Sequence, residues 1–180
     1  MSLDISNAIV PAECEIGALR SLFGYFEHRA PNIDSNHSPL LEYVAHEKVL
    51  REMIGTKDEY VFLPHNKDIH ALLTDYSLSG NELCNRCKRF VCKRMPQKAK
   101  REPTRAETDL ECLLRHLRNS LAHGHVYISH GGNYISVCFE DMNEKKHTTA
   151  RILVNQAQLK KWKITLERAM KEQEERNSTS

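Results

Sequence analysis

The sequence contains no run of about 18 apolar residues, so we expect no membrane-spanning helix and no membrane partner. Its six cysteines are too few in 180 residues for a disulfide scaffold, which favours a reducing, cytoplasmic environment. Residues 1–11 lack a basic stretch followed by an apolar one, so no signal peptide is expected. The chain also lacks a P-loop, the GxGxxG, GxSxG and HExxH motifs, and the convergent carboxylates of a metal-dependent nuclease. We therefore expect no bound cofactor and no metal ion.

The composition is that of an ordinary globular protein. Hydrophobic residues make up 40% of the chain and charged residues 28%, which is neither a disordered nor a membrane composition. A chain of this length forms one domain and buries about 70% of the surface that its unfolded form exposes. We therefore predict a single domain over residues 1–180.

Positive charge is concentrated in one segment, residues 86–105. The formal net charge of the chain is +2, yet this segment contains nine basic side chains and one acid, Glu102. Nine minus one gives +8 for the segment, which leaves −6 for the rest of the chain. Such a segment indicates either a polyanionic partner or a solvated basic helix followed by a loop. Its basic residues are Arg86, Lys88, Arg89, Lys93, Arg94, Lys98, Lys100, Arg101 and Arg105.

Apolar residues recur at helical spacing along the first half of the chain. The spacing predicts an amphipathic helix over about 13–29. A second helix is predicted from a cap at Ser38 to Gly55, and a third over about 69–76. A fourth helix is predicted over 81–95, after the break at Ser79-Gly80.

The second half begins with a loop and one long helix. Residues 96–104 are basic and bounded by prolines, which is typical of a flexible linker. Thr104 and Glu107 have the spacing of a capping box that opens a fifth helix. This helix is predicted to end at His123, with Gly124 as a left-handed C-terminal residue.

The spacing of apolar residues changes from helical to alternating after Gly124. A hairpin turning at 130–133 and a third strand over 151–154 predict a β insertion over 125–154. Asn155 caps a last amphipathic helix, whose polar tail over 172–180 is expected to fray. The predicted fold is mainly α (α+β): a helical bundle of about five to six helices with a small β-hairpin or meander insertion before the C-terminal helix.

The end of the fifth helix combines an arginine, an asparagine and a histidine, in the stretch RHLRNSLAHG at 115–124. On a helical wheel its leucines form one core stripe, while Arg118 and His123 flank the opposite face. Asn119 and Arg115 lie on that face. The face is either solvated, with His123 near the negative end of the helix dipole, or the contact face of a symmetric dimer. A two-fold axis would bring two arginines and two histidines into one cleft.

The segment RNSLAH at 118–123 resembles the R-x4-6-H motif of HEPN domains, in which a polar residue follows the arginine at a helix end. The leucine-rich helix before it and the mostly helical chain are similar to that family as well. The resemblance implies a single HEPN-like domain over residues 1–180. It also implies a metal-independent endoribonuclease, often a toxin or phage-defence effector, that acts as a homodimer through the Arg118–His123 helix face.

The resemblance assigns catalytic roles to Arg118, Asn119 and His123. A histidine exchanges its proton near neutral pH and can serve as base or acid. An arginine stays charged and can bond two phosphate oxygens. Asn119 lies four residues before His123, so it is expected to orient the imidazole or to bond the RNA.

RNA is then the expected polyanion. The candidate RNA contacts are the nine basic residues of 86–105 together with Arg115, while His116 and His125 are interpreted as bystanders. Two alternatives stay open. One is a catalytically inactive HEPN-like dimer that binds nucleic acid or protein. The other is a regulatory helical protein that contacts another chain, such as a cognate antitoxin or regulator.

The cysteines allow a second interpretation of residues 84–92. Cys84, Cys87 and Cys92 have a spacing that suggests zinc, with Cys112 or His116 as a further ligand. The wheel instead places Cys84 and Cys87 on the core stripe of the predicted fourth helix, and no Gly or Pro forms a metal knuckle between them. Buried free cysteine behaves as a small hydrophobic residue. We therefore predict core cysteines and no metal site.

Overall fold

The computed structural model describes residues 2–31, 43–84, 88–95, 107–131 and 134–179. Its elements in chain order are β1 (Ser2–Asp4), a 3-10 helix (Pro11–Glu13), α1 (Gly17–His28), α2 (Tyr43–Met53), β2 (Glu59–Leu63), α3 (His70–Asp75), β3 (Glu82–Cys84), β4 (Arg89–Lys93), α4 (Asp109–Ala122), β5 (Val126–Gly131), β6 (Tyr134–Met142), β7 (Thr148–Asn155) and α5 (Gln156–Ser178).

A five-stranded sheet lies at the centre of these elements, with the strand order β2-β4-β7-β6-β5. β2 and β4 are parallel, and the other neighbours are antiparallel. β1 and β3 form a separate antiparallel pair. The three strands after α4 therefore share one sheet with two strands from much earlier in the chain.

Different layers cover the two faces of the sheet. On one face Phe90, Phe139 and Ile152 pack into the larger core with α1, α2, α4 and α5. On the other face Val91 and Cys138 pack into a smaller core with α3, β1 and β3. α4 and α5 lie directly on the sheet, and α1 and α2 pack against them. This arrangement encloses α4, the helix that carries the candidate site.

The prediction of a helical bundle with a small β insertion is wrong. Residues predicted as one helix over 81–95 form β3 and β4 instead. β4 lies between β2 and β7 with both faces covered, so Phe90, Val91 and Cys92 are buried in succession. A short run of buried apolar residues is typical of an internal strand, and its spacing alone does not distinguish it from a helix. The protein is α+β, with the sheet at its centre.

Most other elements agree with the sequence-based predictions. The helices predicted over 13–29 and 69–76 are confirmed as α1 and α3. The hairpin is confirmed as β5 and β6, and the strand over 151–154 lies within β7. The Asn155 cap is confirmed as well, since its Oδ1 accepts a hydrogen bond from the backbone N–H of Gln158 at 2.8 Å.

α4 begins at a different threonine from the one predicted. Thr104 and the linker over 96–104 lie outside the described residues. The capping box is formed by Thr108 and Glu111. Thr108 Oγ1 accepts from the Glu111 N–H at 3.2 Å, and Glu111 Oε2 accepts from the Thr108 N–H at 2.8 Å. The same Thr-x-x-Glu pattern occurs twice in succession, and the second copy is the cap.

Two further predictions concern helix ends. The cap at Ser38 lies outside the described residues, and α2 is described from Tyr43. α5 continues as a helix through the polar tail of 172–180 as far as Ser178.

Candidate active site at the end of α4

α4 is enclosed over most of its circumference. It packs against β4 and β6 on one side and against α1 and α2 on others. A narrow strip remains open: Arg115, Arg118 and Asn119 are partly exposed, and Ala122 and His123 are exposed. The face that the wheel singled out is therefore accessible only along this strip, which we call the α4 strip.

His123 lies at the exposed end of the α4 strip. It is the C-cap of α4, and its backbone N–H donates to the Asn119 carbonyl at 2.9 Å. Gly124 follows with φ of +69°, a left-handed conformation that favours glycine and turns the chain into β5. The imidazole of His123 lies beside that of His125, with ring centroids 6.3 Å apart. The backbone thus fixes the Cα position of an exposed histidine.

Arg118 is the cation of the α4 strip. Its guanidinium forms no hydrogen bond or ion pair with any residue that the structure describes. His123 lies five positions further along the helix, a rise of about 7.5 Å and a rotation of about 140°. Arg118 therefore keeps its donors available for a ligand, but it points to a different side of the strip from His123.

Asn119 is tied to a buried polar network. Its Nδ2 donates to Asp141 Oδ2 at 3.2 Å, and the same oxygen lies 2.7 Å from His116 Nδ1. His116 Nε2 lies 2.7 Å from the carbonyl oxygen of Lys93. Because a carbonyl oxygen only accepts, Nε2 carries a hydrogen, and a further proton is shared between Nδ1 and Asp141. The network holds the side-chain amide of Asn119 in a defined orientation.

Burial and hydrogen bonding have opposite effects on the pKa of Asp141. Asp141 is 4% exposed, and its partner His116 is fully buried. Burial alone would raise the pKa of Asp141. The hydrogen bond and positive charge of His116, together with the Asn119 hydrogen bond, outweigh it and hold that pKa below its usual value. Asp141 is therefore a buried carboxylate that depends on its partners.

Sequence reasoning gave neither His116 nor Asp141 a role in the site. The alternation of side chains along β6 could have identified Asp141 as part of the site. Asp141 follows Val137 and Phe139 by steps of two, so all three side chains lie on the sheet face that carries α4. An acid at the end of such a run requires a polar partner on the helix packed against it.

Arg115, a candidate RNA contact, is bound within the chain. Its Nε and Nη2 donate to the two carboxylate oxygens of Glu107 at 2.6 and 3.1 Å, and Nη2 also donates to the Lys93 carbonyl at 3.0 Å. Burial would raise the pKa of Glu107, but the hydrogen bond and charge of Arg115 lower it. Arg115 thus stands at the edge of the strip as half of an ion pair, and its contact with RNA stays a prediction.

The structure describes four of the nine basic residues in 86–105. Three of them form ion pairs with acids from other parts of the chain: Lys88 with Asp58, Arg89 with Glu59 and Arg94 with Asp109. The fourth, Lys93, forms no ion pair with a described residue. The other five lie outside the described residues: Arg86, Lys98, Lys100, Arg101 and Arg105. All nine stay predictions as RNA contacts.

The prediction of core cysteines is wrong for Cys84 and is confirmed for Cys92 and Cys112. Cys84 is exposed on β3 rather than buried in a helix, and Cys87 lies outside the described residues. Cys92 and Cys112 are buried, and burial raises the pKa of both thiols. Within the described part of the chain, no three His, Cys, Asp or Glu side chains are placed to hold a metal ion together.

A comparison with known protein families places most of the chain within one family. A family model described as HEPN pEK499 p136 matches residues 42–177, well over half of the chain. The matched region begins at α2 and contains the whole five-stranded sheet, α4 and all of α5 except its last residue. No curated protein and no solved structure matches the chain. Among the described residues, no helix is both long and apolar enough to cross a membrane.

Proposed function

Since this chain belongs to the HEPN pEK499 p136 family, we propose that it is a metal-independent endoribonuclease of HEPN type, acting as a toxin or defence effector. Family membership supports a HEPN domain. The reaction, the RNA substrate and the homodimer are the parts of the proposal that experiment must test.

The α4 strip carries the proposal. Its motif presents an exposed imidazole at His123 and a guanidinium at Arg118 that no described residue engages. Asn119 lies between them with its amide held by buried Asp141. A buried His116–Asp141 pair behind Asn119 would add little to a helix end that only faces solvent, because burying such a pair contributes little net stability. A binding or reaction site does need a fixed polar side chain.

The proposed reaction is attack of a ribose 2′-OH on the adjacent phosphorus. The 2′ oxygen loses its proton to a base, the new P–O bond forms, and the bond to the 5′ oxygen breaks as that oxygen receives a proton. His123 acts as base or acid in these proton transfers. Arg118 balances the charge that develops on the phosphate oxygens. The products are a 2′,3′-cyclic phosphate and a 5′-hydroxyl.

A homodimer through the Arg118–His123 face completes the proposed site. Within one chain these two side chains diverge by about 140°. Two strips facing each other across a two-fold axis would place the Arg118 of one protomer near the His123 of the other. The dimer would also supply one histidine as base and a second as acid.

Among the described basic residues of 86–105, an RNA contact is proposed for Lys93, which forms no ion pair with a described residue. The five basic residues outside the described part of the chain are proposed as contacts as well. Each such phosphate contact makes binding weaker as salt rises. A cognate antitoxin or other regulator would cover the same strip.

The test compares wild type with His123→Ala on mixed RNA in excess chelator. We expect wild type to cleave and the variant to be slower by about 10²- to 10⁴-fold, the value of one proton-transferring histidine. His70→Ala is the matched control, because His70 is exposed on α3, which packs on the sheet face opposite α4. Light scattering on all three proteins gives the oligomeric state.

Each outcome selects a function. Cleavage that is lost only in a folded, dimeric His123→Ala protein supports the nuclease. A folded wild-type dimer that leaves RNA intact rejects the nuclease in favour of a non-catalytic binding module. A monomer that cleaves rejects the composite site while retaining the reaction.

A further inference from the structure

His125 lies beside the proposed catalytic histidine, and neither the motif nor the family match gives it a role. The two imidazole centroids are 6.3 Å apart and the ring planes are inclined by 35°. Gly124 between them is in the left-handed region and has open space where a Cβ would be. The His-Gly-His turn thus presents two imidazoles side by side at the end of the α4 strip.

The backbone of His125 is anchored on both sides. Its N–H donates to the Ser120 carbonyl of α4 at 2.9 Å, and its carbonyl accepts from the Glu140 N–H of β6 at 3.0 Å. His123 is held by its own backbone bond to Asn119. The helix end and the sheet together therefore fix the Cα positions from which the two rings extend.

The two nitrogens of the His125 ring differ in environment. Nδ1 is buried and has no hydrogen-bond partner among the described residues. Nε2 is neither enclosed nor bonded to a described residue, so it reaches the surface. A hydrogen on Nδ1 would have no acceptor, so the neutral ring carries its hydrogen on Nε2. The ring accordingly presents a fixed N–H donor next to His123.

We propose that His125 donates Nε2–H to a non-bridging oxygen of the scissile phosphate, while His123 moves the proton. This inference rests on the proposed function and extends it by one residue. Charge grows on the non-bridging oxygens as the phosphorane forms, and a donor fixed beforehand stabilises that charge without reorganisation. A neutral imidazole can fill such a role, since it needs only to donate a hydrogen bond.

Replacing each histidine by asparagine or glutamine distinguishes a hydrogen-bond donor from a group that transfers protons. The side-chain nitrogen of glutamine reaches about as far as imidazole Nε2, whereas that of asparagine is shorter. We expect His125→Asn to lower kcat by about 10²- to 10³-fold, the loss typical of one missing oxyanion donor. His125→Gln should recover most of this loss, because a donor returns to the same place. His123→Gln should recover nothing, because glutamine does not transfer protons.

A second measurement on the wild type does not depend on activity. Two-bond ¹H–¹⁵N spectra of the imidazole rings assign the tautomer of His125 directly. A 2′-deoxy oligonucleotide lacks the attacking hydroxyl and so binds without being cleaved. We expect an Nε2–H tautomer at rest and a shift of the Nε2 signal when the oligonucleotide is added.

The outcomes distinguish this inference from the function on which it rests. Wild-type activity that survives in His125→Asn, or a glutamine variant as slow as the asparagine variant, overturns the donor role and leaves the nuclease intact. An Nδ1–H tautomer, or an Nε2 signal that the oligonucleotide does not move, overturns it as well. A wild type that cleaves no RNA overturns the nuclease, and the donor role falls with it.

Discussion

Replacing His116 by alanine removes the main partner of a buried carboxylate. Asp141 would then keep only the 3.2 Å bond from Asn119 and lose the 2.7 Å contact with His116. Leaving one member of a buried pair alone costs about 3–5 kcal/mol. For a chain of this size each kcal/mol lowers Tm by about 2–4 °C, so His116→Ala should melt about 6–20 °C below wild type.

The pH dependence of this loss has a defined sign. The pKa of Asp141 is lowered in the folded wild type, so its ionised form contributes stability above its usual pKa, and that contribution is lost as pH falls. In His116→Ala the isolated carboxylate is instead favoured in its protonated, neutral form. The difference in unfolding free energy should therefore be largest near neutral pH and should shrink below about pH 4.

Urea unfolding at several pH values measures this difference. Ser120→Ala is the matched control, because Ser120 is as fully buried, lies one turn further along α4, and bonds only the His116 carbonyl within the helix. We expect that control to stay within about 1 kcal/mol of wild type. A loss below about 1 kcal/mol for His116→Ala, or one that is the same at pH 3 and pH 7, would refute a buried, partner-dependent Asp141.

Three further results are expected. Gly124→Ala should lower the free energy of unfolding in urea by about 1 kcal/mol through backbone strain alone, since φ is +69° and no atom lies within 4 Å of the added Cβ. A variant as stable as wild type would contradict this. Cys92 and Cys112 should resist iodoacetamide at pH 8 in the native protein, because burial raises the pKa of both thiols; peptide mass spectrometry would detect early labelling. Lys93→Ala should reduce the salt dependence of RNA binding by about one phosphate contact, whereas Arg94→Ala, which breaks an ion pair with Asp109, should change the slope less.

Elements with a strong local signal were predictable from the sequence. Asn155 followed three residues later by Gln158 marks the start of α5, and the change to alternating apolar residues after Gly124 marks the hairpin. Each signal lies within a few residues of the element that it specifies. Capping and turn geometry are local, so they do not depend on what packs where.

The strands in 82–93 were not predictable in the same way. β4 pairs with β2, thirty residues earlier, and with β7, about sixty residues later. Burial on both faces removes the alternation that identifies a strand, and the apolar run that remains also fits a helix. Of these two strands, β4 belongs to the central sheet, and β2 was not predicted either. The three strands that were predicted were therefore interpreted as an insertion in a helical bundle.

The residues of the candidate site differ in the same way. Some are identified by a local motif, and one is brought to the site only by a long-range contact. Arg118, Asn119 and His123 lie within six residues of one helix, so a short motif was enough to single them out. Asp141 reaches Asn119 from another element, and only the alternation of β6 indicates which way that carboxylate faces. A helical wheel shows which face of a helix is polar, but it does not show which residues of other elements pack against that face.

The basic segment shows why charge counted along a sequence differs from charge presented to a partner. Residues 86–105 carry +8 by count, yet folding brings Asp58, Glu59 and Asp109 onto three of the four described cations. A paired cation contributes less to phosphate binding, because RNA must compete with a carboxylate that is already in place. The affinity of this protein for a polyanion therefore depends less on the number of basic residues than on those without an acid partner. Arg118 is such a residue within the motif, and Lys93 is another on the strand packed beneath α4.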